Sequence, residues 1–374
     1  MTQAAQVPFT DLGVMTREVR REVDAAWASL LARSDFIEGA AVERFEQEWA
    51  AYCGVGHAVA VGNGTDALAL ALRAIEIGPG DEVVVPANTF VATVEAVVLT
   101  GATPRFADVD PDTLLMTPET MAEAATKKTR AVIVVHLYGQ MPDMDAMCAA
   151  ASQLGIELVE DAAQAQGAER GTARAGSFGV AGCFSFYPGK NLGAFGDAGA
   201  IVTSDETLNG QLLSLRDHGR GRGGHYDHEM VGTNSRLDAV QAVVLGAKLR
   251  RLDGWNTSRR ELMSVYRQLL DDGPAELVGQ VPGGVSAHHL AVVRVRERAD
   301  VRAALAAARI GSGIHYPTPC HLMPPYAEFA TGRLPVAEAQ AAQILSLPLY
   351  PHMRPEDVER VCAVVSASAP PDPS

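Results

Sequence analysis

Short runs of β-branched and other apolar residues recur along the first two-thirds of the chain, separated by longer Ala/Leu-rich stretches of helical spacing. The runs are AVAV (58–61), EVVVP (82–86), TPRF (103–106), AVIVV (131–135), IELVE (156–160), CFSF (183–186) and AIVT (200–203). Most are apolar throughout rather than alternating, the pattern of strands buried on both faces. Spacers such as TDALALALRAIEI and MDAMCAAASQLG read as the intervening helices. The combination predicts βα units around a large, mostly parallel sheet covered by helices, an α/β core.

The pattern changes after about Leu245. RLDAVQAVVLGAKLRRLDGW (236–255) predicts one long charged helix, and a weaker mixture follows in HHLAVVRV (288–295), DVRAALAAARIG (300–311) and VAEAQAAQILSLP (336–348). This divides the chain into a large α/β domain over 1–249 and a smaller C-terminal α+β domain over 250–374, with a helix around 15–33 packing onto the small domain. The tail SASAPPDPS is rich in proline and poor in large apolar residues, so disorder is expected there.

A length of 374 residues suits two such domains, and 47% hydrophobic against 20% charged residues excludes an intrinsically disordered chain. With 45 acidic and 31 basic residues the formal charge is −14, so no global positive field attracts nucleic acid or an anionic membrane. No run approaches the ~18 apolar residues of a membrane span, and the N-terminus turns charged before a signal-like core develops, which predicts a cytoplasmic protein. Cys53, Cys148, Cys183, Cys320 and Cys362 are scattered without a CxxC pair, as reduced thiols rather than a disulfide framework or zinc site.

Three segments carry candidate chemistry. VGNGTDALALAL (61–72) ends a strand, turns through glycines and opens a helix, so backbone N–H groups and the helix dipole can face an anion. Gly62, Gly64 and Ala67 also match G-x-G-x-x-A, but EVVVPANTF lacks the acidic strand end that a nicotinamide dinucleotide site wants. The plain alternative is a tight turn with Thr65 as helix cap. VEDAAQAQG (159–167) sets Asp161 at the carboxyl end of a buried strand, where α/β sheets bind ligands; a helix cap is again the competing reading. GCFSFYPGKNLGAFGDAG (182–199) places Lys190 in a largely uncharged glycine- and aromatic-rich loop, where partial desolvation favours a neutral amine able to form a Schiff base. Separately each is weak. As a set, an anion turn, a strand-end carboxylate and a desolvated lysine meet the needs of pyridoxal 5'-phosphate (PLP).

GNGTDAL, PANTFVAT, EDAAQA, FSFYPGKNLGAFGDAG, RDHG, VGTNSRLDAVQA and GIHYPTPCHLMPPY, in this order between about Pro8 and Leu349, resemble the signature segments of the DegT/DnrJ/EryC1/StrS family of PLP-dependent sugar aminotransferases. The resemblance implies a fold type I aminotransferase with a large PLP domain, a small C-terminal domain and active sites shared across a homodimer. It implies Lys190 as the Schiff-base lysine and proton carrier, and Asp161 as the partner of the pyridinium nitrogen. Gln164 would lie near the cofactor's 3-oxygen and Phe90 would stack on its ring. Gly64, Thr65 and Ser185 would hold the phosphate, with Asn234 reaching the phosphate of the neighbouring subunit. His315 and Tyr316 resemble positions near the sugar.

The loop RDHGRGRGGHYDHE (216–229) offers Arg220 and Arg222 to a substrate diphosphate. Its histidines, His218, His225 and His228, are not expected to bind metal, because the intervening arginines oppose a cation. The expected reaction converts PLP to pyridoxamine phosphate with an amino donor, L-glutamate by resemblance. It then aminates a nucleotide-linked keto-sugar, preferably a dTDP-3- or 4-keto-6-deoxyhexose, in the making of a glycosylated natural product such as an antibiotic. A cyclitol or amino-aromatic aminotransferase and a non-catalytic PLP-binding regulator are the alternatives. The sugar-deoxygenating branch, which replaces the lysine by histidine, is opposed by Lys190.

Overall fold

The computed structural model describes residues 5–369 apart from Arg222, Gly224, His225 and Asp272. In chain order its strands are β1 (His57–Val61), β2 (Glu82–Pro86), β3 (Thr103–Ala107), β4 (Thr129–Val135), β5 (Glu157–Asp161), β6 (Glu169–Arg170), β7 (Ala173–Arg174), β8 (Ala181–Ser185), β9 (Gly199–Thr203), β10 (Glu276–Leu277), β11 (Gly284–Val285), β12 (Ala291–Arg294) and β13 (Ile344–Leu347). Seven of them form one sheet in the order β1-β9-β8-β5-β4-β2-β3. All run the same way except β9, which is antiparallel to both its neighbours. Each of the seven apolar runs of the sequence is one of these strands, displaced by at most two residues at either end.

The runs are continuous because both faces of the sheet are covered. Val59, Val83, Val85, Ile133, Val159 and Ile201 point into one apolar layer, against Leu68, Leu72, Val94 and Leu212 of the helices Gly64–Ala74, Ala92–Leu99 and Glu206–Arg216. Their neighbours Ala58, Val84, Val132, Leu158, Phe184 and Val202 point into the other, against Phe45 and Trp49 of Ala40–Cys53, Met147 of Met144–Leu154 and Leu245 of Ala239–Leu249. This is the two-residue period of a strand with no solvent side.

A third apolar cluster is centred on the fully buried Tyr266 and joins the helices Leu252–Leu270 and Pro355–Ser368 to the sheet β10-β12-β13. A further small sheet has the order β11-β6-β7. The helix Leu12–Arg33 lies along Ala239–Leu249 through Val19, Val23, Val244 and Ala247. It also reaches the third cluster's helix, since Glu18 accepts from Trp255 Nε1 at 3.0 Å.

Two expectations need correcting. The single long helix over 236–255 is two helices, Ala239–Leu249 and Leu252–Leu270, broken at Arg250–Arg251. There Arg251 Nη1 turns back onto the Ala247 carbonyl at 2.6 Å and pairs with Glu22, taking a helix-end acceptor that the next turn would have used. The tail begins as helix, through Ser368, and 370–374 lie outside the described residues.

Candidate active site

Every parallel strand of the large sheet delivers its carboxyl end to one edge, and β9, running the other way, starts there. A cavity of about 900 Å³ opens at this edge, as the topology of an open α/β sheet requires. It is lined by Val135 at the end of β4, Asp161 at the end of β5, Ser185 at the end of β8 and Asp197 just before β9.

At one end lies the turn after β1. Asn63, rather than Thr65, caps the helix Gly64–Ala74, its side chain accepting from Asp66 N at 2.8 Å. Gly64 and Thr65 fall in the first turn, where helical N–H groups have no partner within the helix. A side chain at residue 64 would put its Cβ 2.7 Å from the Ser185 Cβ, so glycine is what allows the helix start and the end of β8 to meet. Ser235 Oγ closes the turn, donating to Asp66 at 2.6 Å and accepting from Gly62 N at 3.0 Å. The result is an anion cradle of backbone amides flanked by a hydroxyl.

Asp161 is 6% exposed and no helix follows it, which removes the helix-cap reading. Its carboxylate accepts from Thr93 Oγ1 at 2.7 Å and from Ala163 N at 3.2 Å, and Thr89 stands behind Thr93 at 2.8 Å. Two neutral donors hold the carboxylate at the cavity wall, and among the described residues no cation forms an ion pair with it. The adjacent Glu160, on the opposite face of the sheet, is spent structurally: it accepts from Gly176, Phe178 and Gly179 N and contacts His136 Nε2 at 2.8 Å.

Lys190 is half-buried in the turn after β8, its own N–H bonded to Tyr187 O at 2.8 Å. Loss of solvent pushes its amine down to about 8, and the Asp161 carboxylate partly opposes that fall. The turn is fixed from behind. Buried Asn191 donates to Asn256 Oδ1 at 2.9 Å and to Ala287 O at 2.8 Å, Asn256 donates to Gln166 O at 2.8 Å, and Lys248 Nζ donates to Gly193 O at 2.5 Å. Asn191 Oδ1 also lies 3.1 Å from His289 Nδ1, which brings His289 to the cavity beside Lys190. Burial and the nearby ammonium hold His289 well below the ordinary imidazole range.

Gln164 lines the cavity with both ends of its amide engaged, accepting from Tyr138 N at 2.7 Å and donating to Tyr316 OH at 3.0 Å. His315 stacks on Phe9 and contacts Ser346 Oγ at 2.8 Å; burial and Lys190 push it down to about 4, so it is neutral near pH 7. Phe90 is 52% exposed at the rim, tilted against Tyr316 at 5.5 Å. One cavity therefore collects all the candidates from the first two-thirds of the chain up to Lys190, together with His315 and Tyr316. It does not take in Asn234, which is exposed and bridges to Asp217, or Arg220, whose guanidinium is paired with Asp217 at 2.6 Å. Arg222 lies outside the described residues, as does His225. His228 Nδ1 is taken up by the His218 carbonyl at 3.0 Å.

The donor set fits PLP: an amide cradle for a phosphate, a buried carboxylate with no ion-pair partner among the described residues for a pyridinium N–H, and a lysine whose amine is kept partly neutral. The comparisons with known proteins decide the family. The model of the DegT/DnrJ/EryC1/StrS aminotransferase family matches residues 17–366. The chain belongs to this family. It is a PLP-dependent aminotransferase with the α/β fold expected of one. It is 45% identical to a dTDP-3-amino-3,4,6-trideoxy-alpha-D-glucose transaminase of Streptomyces venezuelae, over 97% of this chain and 96% of the relative. It is 42% identical to a UDP-N-acetyl-3-dehydro-alpha-D-glucosamine 3-aminotransferase of Acidithiobacillus ferrooxidans, over 98% of each. The crystal structure of S. venezuelae DesV in complex with a ketimine intermediate superposes with a TM-score of 0.94 at 45% identity, over 97% of this chain and 98% of that one.

Thr93, Tyr138, Asn191, His289 and Arg259 also shape this cavity and were not singled out in the sequence. Thr93 carried a readable signal as a second hydroxyl within PANTFVAT, four residues after Thr89 and in the first turn of the helix Ala92–Leu99. The others are brought in by tertiary contacts that no local pattern announces.

Proposed function

We propose that this aminotransferase moves an amino group from L-glutamate to C-3 of a dTDP-linked 3-keto-6-deoxyhexose, in deoxyaminosugar biosynthesis for a glycosylated natural product. The observation that carries this reading is the pairing, in one cavity, of a partly neutral Lys190 with the isolated carboxylate of Asp161. The nucleotide and the C-3 position are supported by the two relatives, both named for chemistry at a sugar C-3 and one for a dTDP sugar.

PLP, when bound, supplies an electron sink for a carbon that loses a proton. Lys190 Nζ takes that proton and returns it at the far side of the exchange. Asp161, held in place by Thr93 and Ala163 N, keeps a proton on the ring nitrogen. The first turn of Gly64–Ala74, with Thr65 and Ser185, holds the phosphate, and Gln164 orients the 3-oxygen. Phe90 covers the ring and excludes water, while His315 and Tyr316 meet the sugar. Asn234 reaches the partner's phosphate in a homodimer, a role that fits its exposure outside its own cavity. Arg220 and Arg222 contact the diphosphate, Arg220 by leaving Asp217. The chain divides at about 249/250 and works in the cytoplasm, and among the described residues no helix is long and apolar enough to cross a membrane.

One site serving two substrates in turn requires ping-pong kinetics. Assays of dTDP-3-keto, dTDP-4-keto and UDP-keto sugars with L-glutamate, reading 2-oxoglutarate, should show turnover with the dTDP-3-keto sugar. Lys190→Ala should abolish both turnover and borohydride trapping. Activity confined to a 4-keto sugar overturns the regiochemistry, and turnover by Lys190→Ala overturns the role of the lysine.

A further inference from the structure

Arg259 lies in the middle of the helix Leu252–Leu270 and lines the same cavity as Lys190, yet its side chain is 3% exposed. A guanidinium carries five N–H donors and a permanent charge, and removing it from water is costly unless an anion compensates. Among the described residues no carboxylate pairs with it. Nη1 donates to three main-chain carbonyls, Leu349 at 3.0 Å, His288 at 3.3 Å and His289 at 3.4 Å, and Nε has no partner at all. Three carbonyl dipoles crowd one nitrogen while the rest of the fork is left over. Burial lowers the group to about 10, so it remains charged at neutral pH.

The surroundings select what could complete it. Near pH 7 the neighbouring imidazoles His289 and His315 are neutral; of the cavity's carboxylates, Asp161 is held by Thr93 and Asp66 by Ser235 and Asn63, and Asp197 makes no ion pair with Arg259. Leu347 and Leu349 supply apolar wall beside the guanidinium. A planar anion entering from the cavity could take two parallel N–H···O bonds from the fork, the geometry that a carboxylate offers and a neutral sugar does not.

We infer that Arg259 seats the carboxylate of the amino donor. The inference rests on the transaminase reading and deepens it: one half of the exchange uses an amino acid and the other a sugar, and this guanidinium serves the first. The competing role is purely structural, a clamp that ties the helix to the 288–289 and 349 segments through their carbonyls.

The test measures the two half-reactions separately, in single turnovers followed by cofactor absorbance: L-glutamate with the PLP form, and the keto-sugar with the pyridoxamine phosphate form. In Arg259→Gln the apparent affinity for L-glutamate should fall by about tenfold or more, the scale of a lost charge-assisted pair, with a much smaller change in the sugar half. Glutarate, a dicarboxylate without an amine, should raise the melting temperature of the wild-type holoenzyme and not of the variant. Arg259→Lys keeps a cation for the carbonyls but not the fork; it should still show the selective loss for L-glutamate, and it carries the test if Arg259→Gln does not fold. Equal losses in both halves, a larger loss in the sugar half, wild-type behaviour of Arg259→Lys, or equal glutarate shifts in both proteins would each overturn the inference. If the wild-type protein aminates no sugar, the function proposed above fails, while glutarate binding still reports on Arg259.

Discussion

Replacing Asp161 with Asn should lower the pKa of Lys190 and leave Lys248 where it is. Burial pushes both amines from 10.5 to about 8, but only at Lys190 does a carboxylate, that of Asp161, work against the fall. Lys248 sits over the Phe195 ring with its amine on a carbonyl, and desolvation acts on it alone. A midpoint near 8 leaves roughly a tenth of the Lys190 amines neutral at pH 7, roughly 300-fold more than a midpoint of 10.5 would. Taking away the opposing charge moves the midpoint further down, on the order of one unit, and brings the neutral fraction at pH 7 to about half. The chain has four lysines, Lys127, Lys128, Lys190 and Lys248, so a titration of ¹³Cε-labelled lysine by NMR in cofactor-free protein resolves them, with Lys190→Arg giving the assignment. The same shift ties stability to pH. Between about 8 and 10.5 the unfolded chain holds a proton that the folded chain has released, so this residue makes the protein more stable as pH rises through that window. A wild-type Lys190 midpoint at 10 or above, an upward move in Asp161→Asn, or a parallel move of Lys248 would refute the reasoning.

Two further outcomes test the frame around the site. Glu160→Ala strands the buried N–H of Gly176 and the part-buried N–H groups of Phe178 and Gly179, together with His136; urea unfolding should show a loss of about 3–5 kcal/mol, and a loss below about 1 kcal/mol would mean that the loop rearranges to bond elsewhere. Gly64→Ala forces its Cβ toward the Ser185 Cβ and should cost about 1–3 kcal/mol and weaken PLP binding; adding Ser185→Gly removes the obstructing atom and should restore the stability, and a double variant as unstable as the single one sinks the steric account.

The large sheet was legible in the sequence because its strands are buried on both sides. Val83-Val84-Val85 and Val132-Ile133-Val134 need no knowledge of their neighbours to be recognised as core, since either face they turn is apolar. The reversed direction of β9 was not legible, because AIVT reads the same from both ends of a sheet. The helix break at Arg250–Arg251 was hidden for a related reason: it depends on Glu22, more than two hundred residues earlier, and not on a local proline or glycine. Lys190 and Asp161 stood out because glycine, proline and a strand end punctuate their surroundings.

The residues that tune them had no such punctuation, and this reflects how the cavity is built. Hydrogen bonds from the Asn191 amide to Asn256 Oδ1, and from the Asn256 amide to the Gln166 carbonyl, tie the lysine turn to the helix Leu252–Leu270, the helix that also carries Arg259. Gly139 enters the same arrangement from another direction. At φ +99° it lies so close to the 288–289 backbone that a Cβ would come within 2.7 Å of His289 N, and that contact sets His289 beside Lys190. The site is thus made by pressing the segment around Ala287–His289 between the large sheet's edge and the third cluster's helix. Movement of that helix would shift the lysine turn, through Asn191, and the Arg259 guanidinium together. Asn256→Ala should accordingly disturb the midpoint of Lys190 without touching either the lysine or Asp161, because it frees the Asn191 amide and, through it, the partner of His289. An unchanged Lys190 titration in that variant would show that the turn holds itself and that the helix contributes packing alone.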